Sequence, residues 1–401
     1  MKVGILTFSR STNYGAQLQA WALMGALRSL GNSVVFLNRY DNMHLGQIKA
    51  GNWSRSLMWR IKDKVVGCLF WILGVDLKSS AGRALSSSRF CENYLPHTDF
   101  SFYRWEEIDA AKWCSLGLDL VIVGSDQVWN CEWKNLGPDL GVYLLEGAPS
   151  VRAIAYAASF GMKKIPDSLR TRYADGFKRF GAISTREREG VDLVASVGGA
   201  AVHVCDPTLL LDIKSWVGMI GNAPTSGDRR IVMYFISYKW NDDLDVIDAF
   251  ARRHNVEIVL FGGSARIKKI RPLKMLWGYV KEGWYLRCGR VRIMECAGAD
   301  EFARQLAYAD AVVTDSFHAL MLSAIFHRNV RVITPKDAGR QGMFARIEEF
   351  ACRYIKGPWQ SDDIASALSS VASEQMTFDD DRINEFRERS MEWLKNALTI
   401  K

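Results

Sequence analysis

Apolar and polar positions along the chain sort into two recurring kinds of segment. Short apolar runs, often β-branched, read as strands buried on both faces, as in a parallel sheet. Longer runs with apolar residues every three or four positions read as helices. The stretch Met1 to Phe8 reads as a first strand. A helix is expected from Ala16 to Leu30, with Leu23, Leu27 and Leu30 as its stripe and Gly31-Asn32 as its stop. Further strands are expected at Val34 to Leu37, Leu118 to Val123, Arg152 to Ala157, Phe180 to Ser184 and Val202 to Val204. A second series has strands at Ile231 to Ile236, Glu257 to Phe261, Ala311 to Thr314 and Val330 to Ile333. Its helices are expected at Asp242 to Arg253, Asp300 to Tyr308, Met343 to Cys352 and Asp362 to Ser373. The chain ends in an amphipathic helix, Asp379 to Lys401, with Ile383, Phe386, Met391, Leu394 and Leu398 on its apolar side. Residues 42–95 and 264–290 break the alternation.

Two βα series joined by Gly221 to Asp228 predict an α/β protein of two Rossmann-like domains facing a central cleft, with the C-terminal helix crossing back to the first domain. The expected boundaries are 1–220 and 221–376, followed by the helix at 377–401. No internal repeat is visible. In open α/β sheets ligands bind at the carboxyl ends of the strands. There the chain repeatedly places polar residues.

Asn13-Tyr14-Gly15 is either a helix-entry turn or part of a ligand pocket. Gly124-Ser125-Asp126 closes a buried strand, and Asp126 suits a helix cap, a general base or a hydroxyl-binding carboxylate. Arg186 follows a strand end, placed to fork onto a phosphate or carboxylate, or to stand exposed beside a neighbouring Glu. Asp206 before Pro207 reads as a turn residue. Between Thr314 and Leu320 stand Asp315, Ser316, Phe317 and His318. Ser316 can cap the following helix, whose free N–H groups favour an anion. His318 would lie in the first turn beside that anion, as an acid/base, or else serve as a hydrogen-bonded core histidine. The G-x-G-x-x-G pattern of dinucleotide binding is absent.

Composition narrows the partners. Lys+Arg number 52 against Asp+Glu 44, a formal net charge of +8, which fits anionic small molecules or acidic lipid surfaces. The basic residues are scattered, which argues against nucleic acid. Eight cysteines lie far apart with no C-x-x-C pair, reading as buried thiols of a reducing compartment. Six histidines form no ligand cluster, so no metal site is expected, and no cofactor. The start lacks a signal peptide and no apolar run reaches the roughly 18 residues of a spanning helix, so a cytoplasmic protein is expected. Ser54 to Asp76 pairs basic residues with the run Val65 to Leu73. It suits either a peripheral helix on the inner face of an anionic membrane or a core helix with solvated lysines.

Six stretches in order resemble the polysaccharide pyruvyl transferase family. They are Asn13 to Ala20, Val123 to Asn130, Tyr156 to Gly161, Ser184 to Glu187, Cys205 to Leu210 and Thr314 to His318. The resemblance implies a GT-B-like fold, phosphoenolpyruvate as donor and a sugar hydroxyl pair as acceptor, free or lipid-linked. The product would be a pyruvate ketal on a cell-surface polysaccharide or its precursor. The family's catalytic His looks like His318, its acid near the acceptor like Asp126, and its donor-binding Arg like Arg186. Substrate contacts are implied for Asn13, Tyr14, Gln17, Ser125, Ser316 and Phe317. One departure stands out: where members carry Arg-Leu-His, this chain has Ser316-Phe317-His318. A serine cannot replace a guanidinium, which leaves Lys336, Arg340 or Arg346 to supply that charge. Two rival classes are a GT-B glycosyltransferase using a nucleotide sugar and a non-catalytic glycan- or nucleotide-binding protein.

Overall fold

The computed structural model describes residues 1–39, 79–132, 140–222, 229–262, 290–294, 296–334 and 341–400. The chain divides into two compact units. The first comprises Met1–Ile48, Ser87–Trp216 and Asp379–Lys401, and the second Lys49–Ser86 and Val217–Phe378. Among the described residues, Ser79–Ser86 thus belongs with the second unit, whereas the sequence boundary of 1–220 groups it with the first.

In the first unit six strands run in the order β2-β1-β3-β4-β5-β6, all neighbours parallel. They are β1 (Lys2–Leu6), β2 (Ser33–Phe36), β3 (Leu120–Val123), β4 (Ala153–Ala158), β5 (Ala182–Thr185) and β6 (Val202–His203). Every residue of β3 and β4 is buried, as the unbroken apolar runs require of strands covered on both faces. Helix α1 (Tyr14–Ser29) starts where the Asn13 side chain accepts the Gly15 N–H, and it ends before Gly31, whose φ of 79° continues no helix. The helix α2 (Ser79–Tyr94) precedes β3. Later come α3 (Arg188–Ala195) after β5 and α4 (Pro207–Leu210) after β6.

The second unit holds the order β13-β11-β10-β7-β8-β9, again with parallel neighbours. Its strands are β7 (Arg230–Tyr234), β8 (Glu257–Phe261), β9 (Val291–Met294), β10 (Ala311–Thr314), β11 (Asn329–Ile333) and β13 (Gln360–Ser361). A small antiparallel pair, β12 (Ile355–Lys356) with β14 (Thr377–Phe378), stands apart. Helix α5 (Phe317–Ile325) leaves β10, and α6 (Gln341–Tyr354) and α7 (Ile364–Ser373) follow. Strand β9 lies just past a stretch that reads as irregular in the sequence; Val291 to Met294 is too short and too polar to announce itself.

The C-terminal helix α8 (Asp380–Ala397) rejoins the first unit. The Cys205 N–H donates to the Ser390 hydroxyl at 2.9 Å, and the Phe386 and His203 rings stand 5.0 Å apart. Arg387 Nε donates to the Leu209 carbonyl at 2.6 Å. The apolar stripe of this helix therefore closes over the end of β6.

Strand order locates the ligand edges. In the first sheet β2 and β3 flank β1, so the chain reverses direction between β1 and β3; in the second it reverses between β7 and β10. No helix among the described residues is long and apolar enough to cross a membrane. The segment 54–76, Lys336, Arg340 and most of the expected 221–228 linker lie outside the described residues.

Candidate active site

At the reversal between β1 and β3, the Thr7 hydroxyl donates to the Ser125 carbonyl at 2.9 Å and ties the two strand ends together. Gln19 Nε2 donates to the Thr7 hydroxyl at 3.1 Å from beneath. The loop after β1 is held by its neighbours. The Ser87 hydroxyl donates to the Ser11 carbonyl at 3.0 Å, and the Cys91 thiol to the Ser9 carbonyl at 3.2 Å. Both are fixed by Gln17, whose Nε2 lies 2.8 Å from Ser87 Oγ and 3.2 Å from Cys91 Sγ. Gln17 is wholly buried and works as a staple beneath the loop. Burial also pushes the Cys91 thiol pKa up, so it stays a neutral donor. Asn13 spends its side-chain oxygen on the Gly15 N–H, and Tyr14 is buried.

The end of β3 has an unusual backbone. The Gly124–Ser125 peptide is cis, Gly124 has φ 109°, and Asp126 has φ 69°. Only glycine fits at 124, because an added Cβ would lie 2.5 Å from the Tyr156 carbonyl oxygen. Asp126 then pairs with β4: the Ser159 N–H donates to its carbonyl at 2.9 Å. The cap reading of Asp126 does not hold, since no helix begins after it within the described residues up to Glu132. Its Oδ1 accepts the Gln127 N–H at 2.9 Å, and Ser125 beside it is fully buried.

Arg186, just past β5, reaches into the same cluster. Its Nη1 donates to Asp206 Oδ2 at 3.0 Å, its Nε to Glu187 Oε1 at 3.2 Å, and its Nη2 lies 3.8 Å from Asp126 Oδ1. The side chain is 1% exposed. Burial alone would lower its pKa, but the carboxylates of Glu187, Asp206 and Asp126 outweigh that and raise it, so the guanidinium stays charged. An exposed helix-start arginine is therefore not what forms here. Asp206, read from sequence as a turn residue, caps α4 through the Thr208 N–H at 3.0 Å and anchors Arg186 as well. Glu187 is fixed in turn by the Ser159 hydroxyl at 2.7 Å. Both acids were flagged only by their positions beside Arg186 and Pro207; their convergence needs the tertiary fold.

The second unit builds its own edge at the reversal between β7 and β10. Asp315 Oδ1 accepts the Ile236 N–H at 2.6 Å, and Oδ2 accepts those of Ser237 and Tyr238 at 2.7 and 2.8 Å. The Thr314 hydroxyl donates to the Tyr234 carbonyl at 2.5 Å and accepts the Ser316 N–H at 3.0 Å. Ser316 caps α5, its hydroxyl oxygen accepting the Ala319 N–H at 3.4 Å. Phe317 and His318 occupy the first turn, and both are largely buried. From α6, the Arg346 guanidinium lies over the Phe317 ring at 5.2 Å. Of the three cations considered as replacements for the arginine missing at Ser316, Arg346 is the one within the described residues, and it packs against this turn.

The fold thus brings Ser125, Asp126 and Arg186 together on one edge, and Ser316, Phe317, His318 and Arg346 on another. It gives Asn13 and Gln17 supporting roles at the start of α1.

Two solved structures share the overall fold. A UDP-GlcNAc 2-epimerase from Methanocaldococcus jannaschii is 11% identical, covering 94% of this chain and 92% of its own with a TM-score of 0.51. A Listeria monocytogenes protein assigned as a UDP-N-acetylglucosamine 2-epimerase is 9% identical, covering 98% and 90% with a TM-score of 0.51. At such identity the likeness speaks for the fold alone, which is α/β and GT-B-like, with two Rossmann-like sheets. Among curated proteins none matches. The family model described as polysaccharide pyruvyl transferase matches residues 13–337. That span includes Ser125, Asp126, Arg186 and the Ser316-Phe317-His318 turn, and the chain belongs to the polysaccharide pyruvyl transferase family.

Proposed function

We propose that this protein transfers pyruvate from phosphoenolpyruvate to a pair of sugar hydroxyls as a ketal and releases phosphate. The acceptor is a cell-surface polysaccharide or its precursor. The observation that carries the reading is the Ser316-capped turn at the end of β10. It sets His318 in the first turn of α5, with the helix N–H groups and Arg346 close by as anion-binding groups. In the proposed reaction His318 gives a proton to the methylene carbon of the donor, and C2 becomes cationic. One acceptor hydroxyl adds to C2 and loses its proton to Asp126. The C2–O bond to phosphate then breaks, the departing phosphate takes the proton from Asp126, and the second hydroxyl closes the ketal by returning a proton to His318. The donor is a cytoplasmic metabolite, and a cytoplasmic site of action follows from it.

The test is inorganic phosphate release from phosphoenolpyruvate against a panel of free and lipid-linked sugars. Acceptor-dependent phosphate release is expected, falling at least about 10²-fold in His318→Gln while the fold is kept. Release of nucleoside diphosphate from a nucleotide sugar, with phosphoenolpyruvate inert, would replace this reading by a glycosyl transfer. Near-normal turnover in a folded His318→Gln would remove His318 from the mechanism.

A further inference from the structure

We infer that Arg10, in the loop after β1, holds an oxyanion carried by the acceptor sugar, a phosphate ester or a carboxylate away from the reacting hydroxyls. The inference rests on the reaction proposed above, in which Asp126 takes the first hydroxyl proton. Three observations lead to it.

The first is an uncompensated cation. Arg10 is partly buried, and its Nε is shut off from solvent with no acceptor. Among the described residues no hydrogen bond or ion pair forms to its side chain. It lies near enough to the Cys91 thiol to favour the thiolate, but burial outweighs this, so the thiol stays neutral and supplies no counter-charge. The Glu92 carboxylate also acts on that thiol, but it is exposed and accepts the Ser88 hydroxyl at 2.9 Å. Arg186, on the same sheet edge, stands by contrast among three carboxylates. A guanidinium partly withdrawn from water without a partner is costly, and an oxyanion is the ligand its fork fits.

The second is a fixed loop. His97 Nδ1 lies 2.7 Å from the Leu95 carbonyl, an oxygen that only a ring N–H can satisfy. In the neutral ring Nε2 then accepts the Ser9 hydroxyl at 2.9 Å. The Ser9 carbonyl is held as well, by the Cys91 thiol at 3.2 Å. On the other side of Arg10, the Ser11 carbonyl accepts the Ser87 hydroxyl at 3.0 Å, and the Ser11 hydroxyl accepts the Asn13 N–H at 3.1 Å. Both neighbours of Arg10 are thus pinned, so the cation has little backbone freedom left to lose on binding a ligand. Helix α1 follows with no acidic residue in its first turn, and its dipole adds to the positive field.

The third is place. Arg10 follows β1, Asp126 follows the adjacent β3, and Arg186 follows β5. The bond from the Thr7 hydroxyl to the Ser125 carbonyl, 2.9 Å, joins the first two of these strand ends. Neighbouring strands lie about 4.8 Å apart, so the backbones at Arg10 and Arg186 are about 14 Å apart along the edge, with Asp126 between them. The family resemblance implies donor binding at Arg186. A donor as small as phosphoenolpyruvate does not reach from there past Asp126 to β1. An acceptor whose hydroxyl meets Asp126 does, and its far end falls at Arg10.

The experiment takes the best sugar of the phosphate-release panel in four forms: as its uncharged methyl glycoside, as its 1-phosphate, extended by a uronate, and as its lipid-linked diphosphate. Wild type is compared with Arg10→Gln and Arg10→Lys, with circular dichroism as the check on the fold. The ratio of kcat/KM for a charged form over the uncharged one should be about 10 to 100 in wild type and should fall towards about 1 in Arg10→Gln, mainly through KM. Lysine should keep part of the ratio, having the charge without the fork. Added salt should lower the wild-type ratio more than that of Arg10→Gln. A preference for the two phosphorylated forms identifies a phosphate ester, and a preference for the uronate a carboxylate. A wild-type ratio near 1 for every charged form overturns the inference, and so does a ratio that Arg10→Gln leaves unchanged. Phosphoenolpyruvate affinity is measured by calorimetry in the same variants, and a loss of about 10-fold or more makes Arg10 a donor clamp and overturns the inference too. Binding of glucose 1-phosphate, glucuronate and methyl glucoside is measured without donor. If no sugar releases phosphate from phosphoenolpyruvate but a charged one binds through Arg10, the proposed reaction falls and the oxyanion subsite stands. If no charged sugar binds more weakly to Arg10→Gln than to wild type, the subsite falls.

Discussion

Asp315→Asn tests the clamp that joins β10 to the loop after β7. The carboxylate accepts three backbone N–H groups at 2.6–2.8 Å, from Ile236, Ser237 and Tyr238. An amide at this position keeps one acceptor oxygen. If that oxygen takes the place of Oδ2, two bonds survive as neutral ones. Each then loses about 1 kcal/mol, the difference between a charge-assisted and a neutral hydrogen bond. The third N–H, that of Ile236, meets an NH2 group and is left without its acceptor, at a cost of about 1–3 kcal/mol. Ile236 is 49% exposed, so water can take that N–H and the cost falls to the lower end. The sum is about 3 kcal/mol, or about 10²-fold in the local opening equilibrium. Unfolding of a two-unit chain need not be two-state, so a global midpoint is the wrong readout. Amide hydrogen exchange is the right one. Exchange of residues 236–238 should quicken about 10²-fold, while the fully buried Ile258, Val259 and Leu260 of β8 keep their protection. A change under about 3-fold at 236–238 would refute the clamp, since that corresponds to less than about 0.7 kcal/mol.

Arg346→Met should raise the phosphoenolpyruvate KM about 10- to 100-fold with a smaller effect on kcat, and Arg346→Lys should recover only part of it. A titration showing unchanged donor affinity would remove Arg346 from donor binding and leave it a structural role against Phe317. Alkylation at pH 8, read per peptide by mass spectrometry, should label the exposed Cys114 and Cys352 in the native protein, and the buried Cys91 and Cys205 only on unfolding. Burial pushes the Cys205 thiol up to about 12. The folded value is raised, so its contribution to stability is full below the unfolded value of about 8.5 and is lost as pH climbs towards 12. Cys205→Ala should therefore soften alkaline unfolding in that window, and an unchanged alkaline profile would count against the buried-thiol account.

Legibility followed the range of the interaction. Strands buried on both faces carry their signal locally, so β8 and β10 fall where the apolar runs Glu257 to Phe261 and Ala311 to Thr314 place them. The Ser316 cap was equally local, needing only a hydroxyl before a helix-forming run. Asp126 misled as a possible cap because the sequence does not disclose the left-handed backbone at φ 69° that turns the chain onto β4. Arg186 and Asp206 are 20 residues apart in sequence, and only the parallel neighbourhood of β5 and β6 makes them partners. The Asp315 clamp spans 77 to 79 residues in the same way, through the pairing of β10 with β7. The resemblance implied a substrate contact for Gln17, and its hydrogen bonds to Ser87 and Cys91 under the loop could not be foreseen because they depend on a helix 70 residues away.

The two edges also differ in what they offer a substrate. At β10 the turn presents helix N–H groups, with Arg346 over Phe317, so donors of hydrogen bonds and positive charge prevail. At β3 to β6 the carboxylates of Asp126, Glu187 and Asp206 lie around Arg186. The proposed reaction needs both kinds of surface. A phosphate and a carboxylate must be held by donors, whereas a hydroxyl pair that surrenders two protons must meet acceptors. If donor affinity responds to Arg346 and turnover to Asp126, the two demands are met by different strand ends.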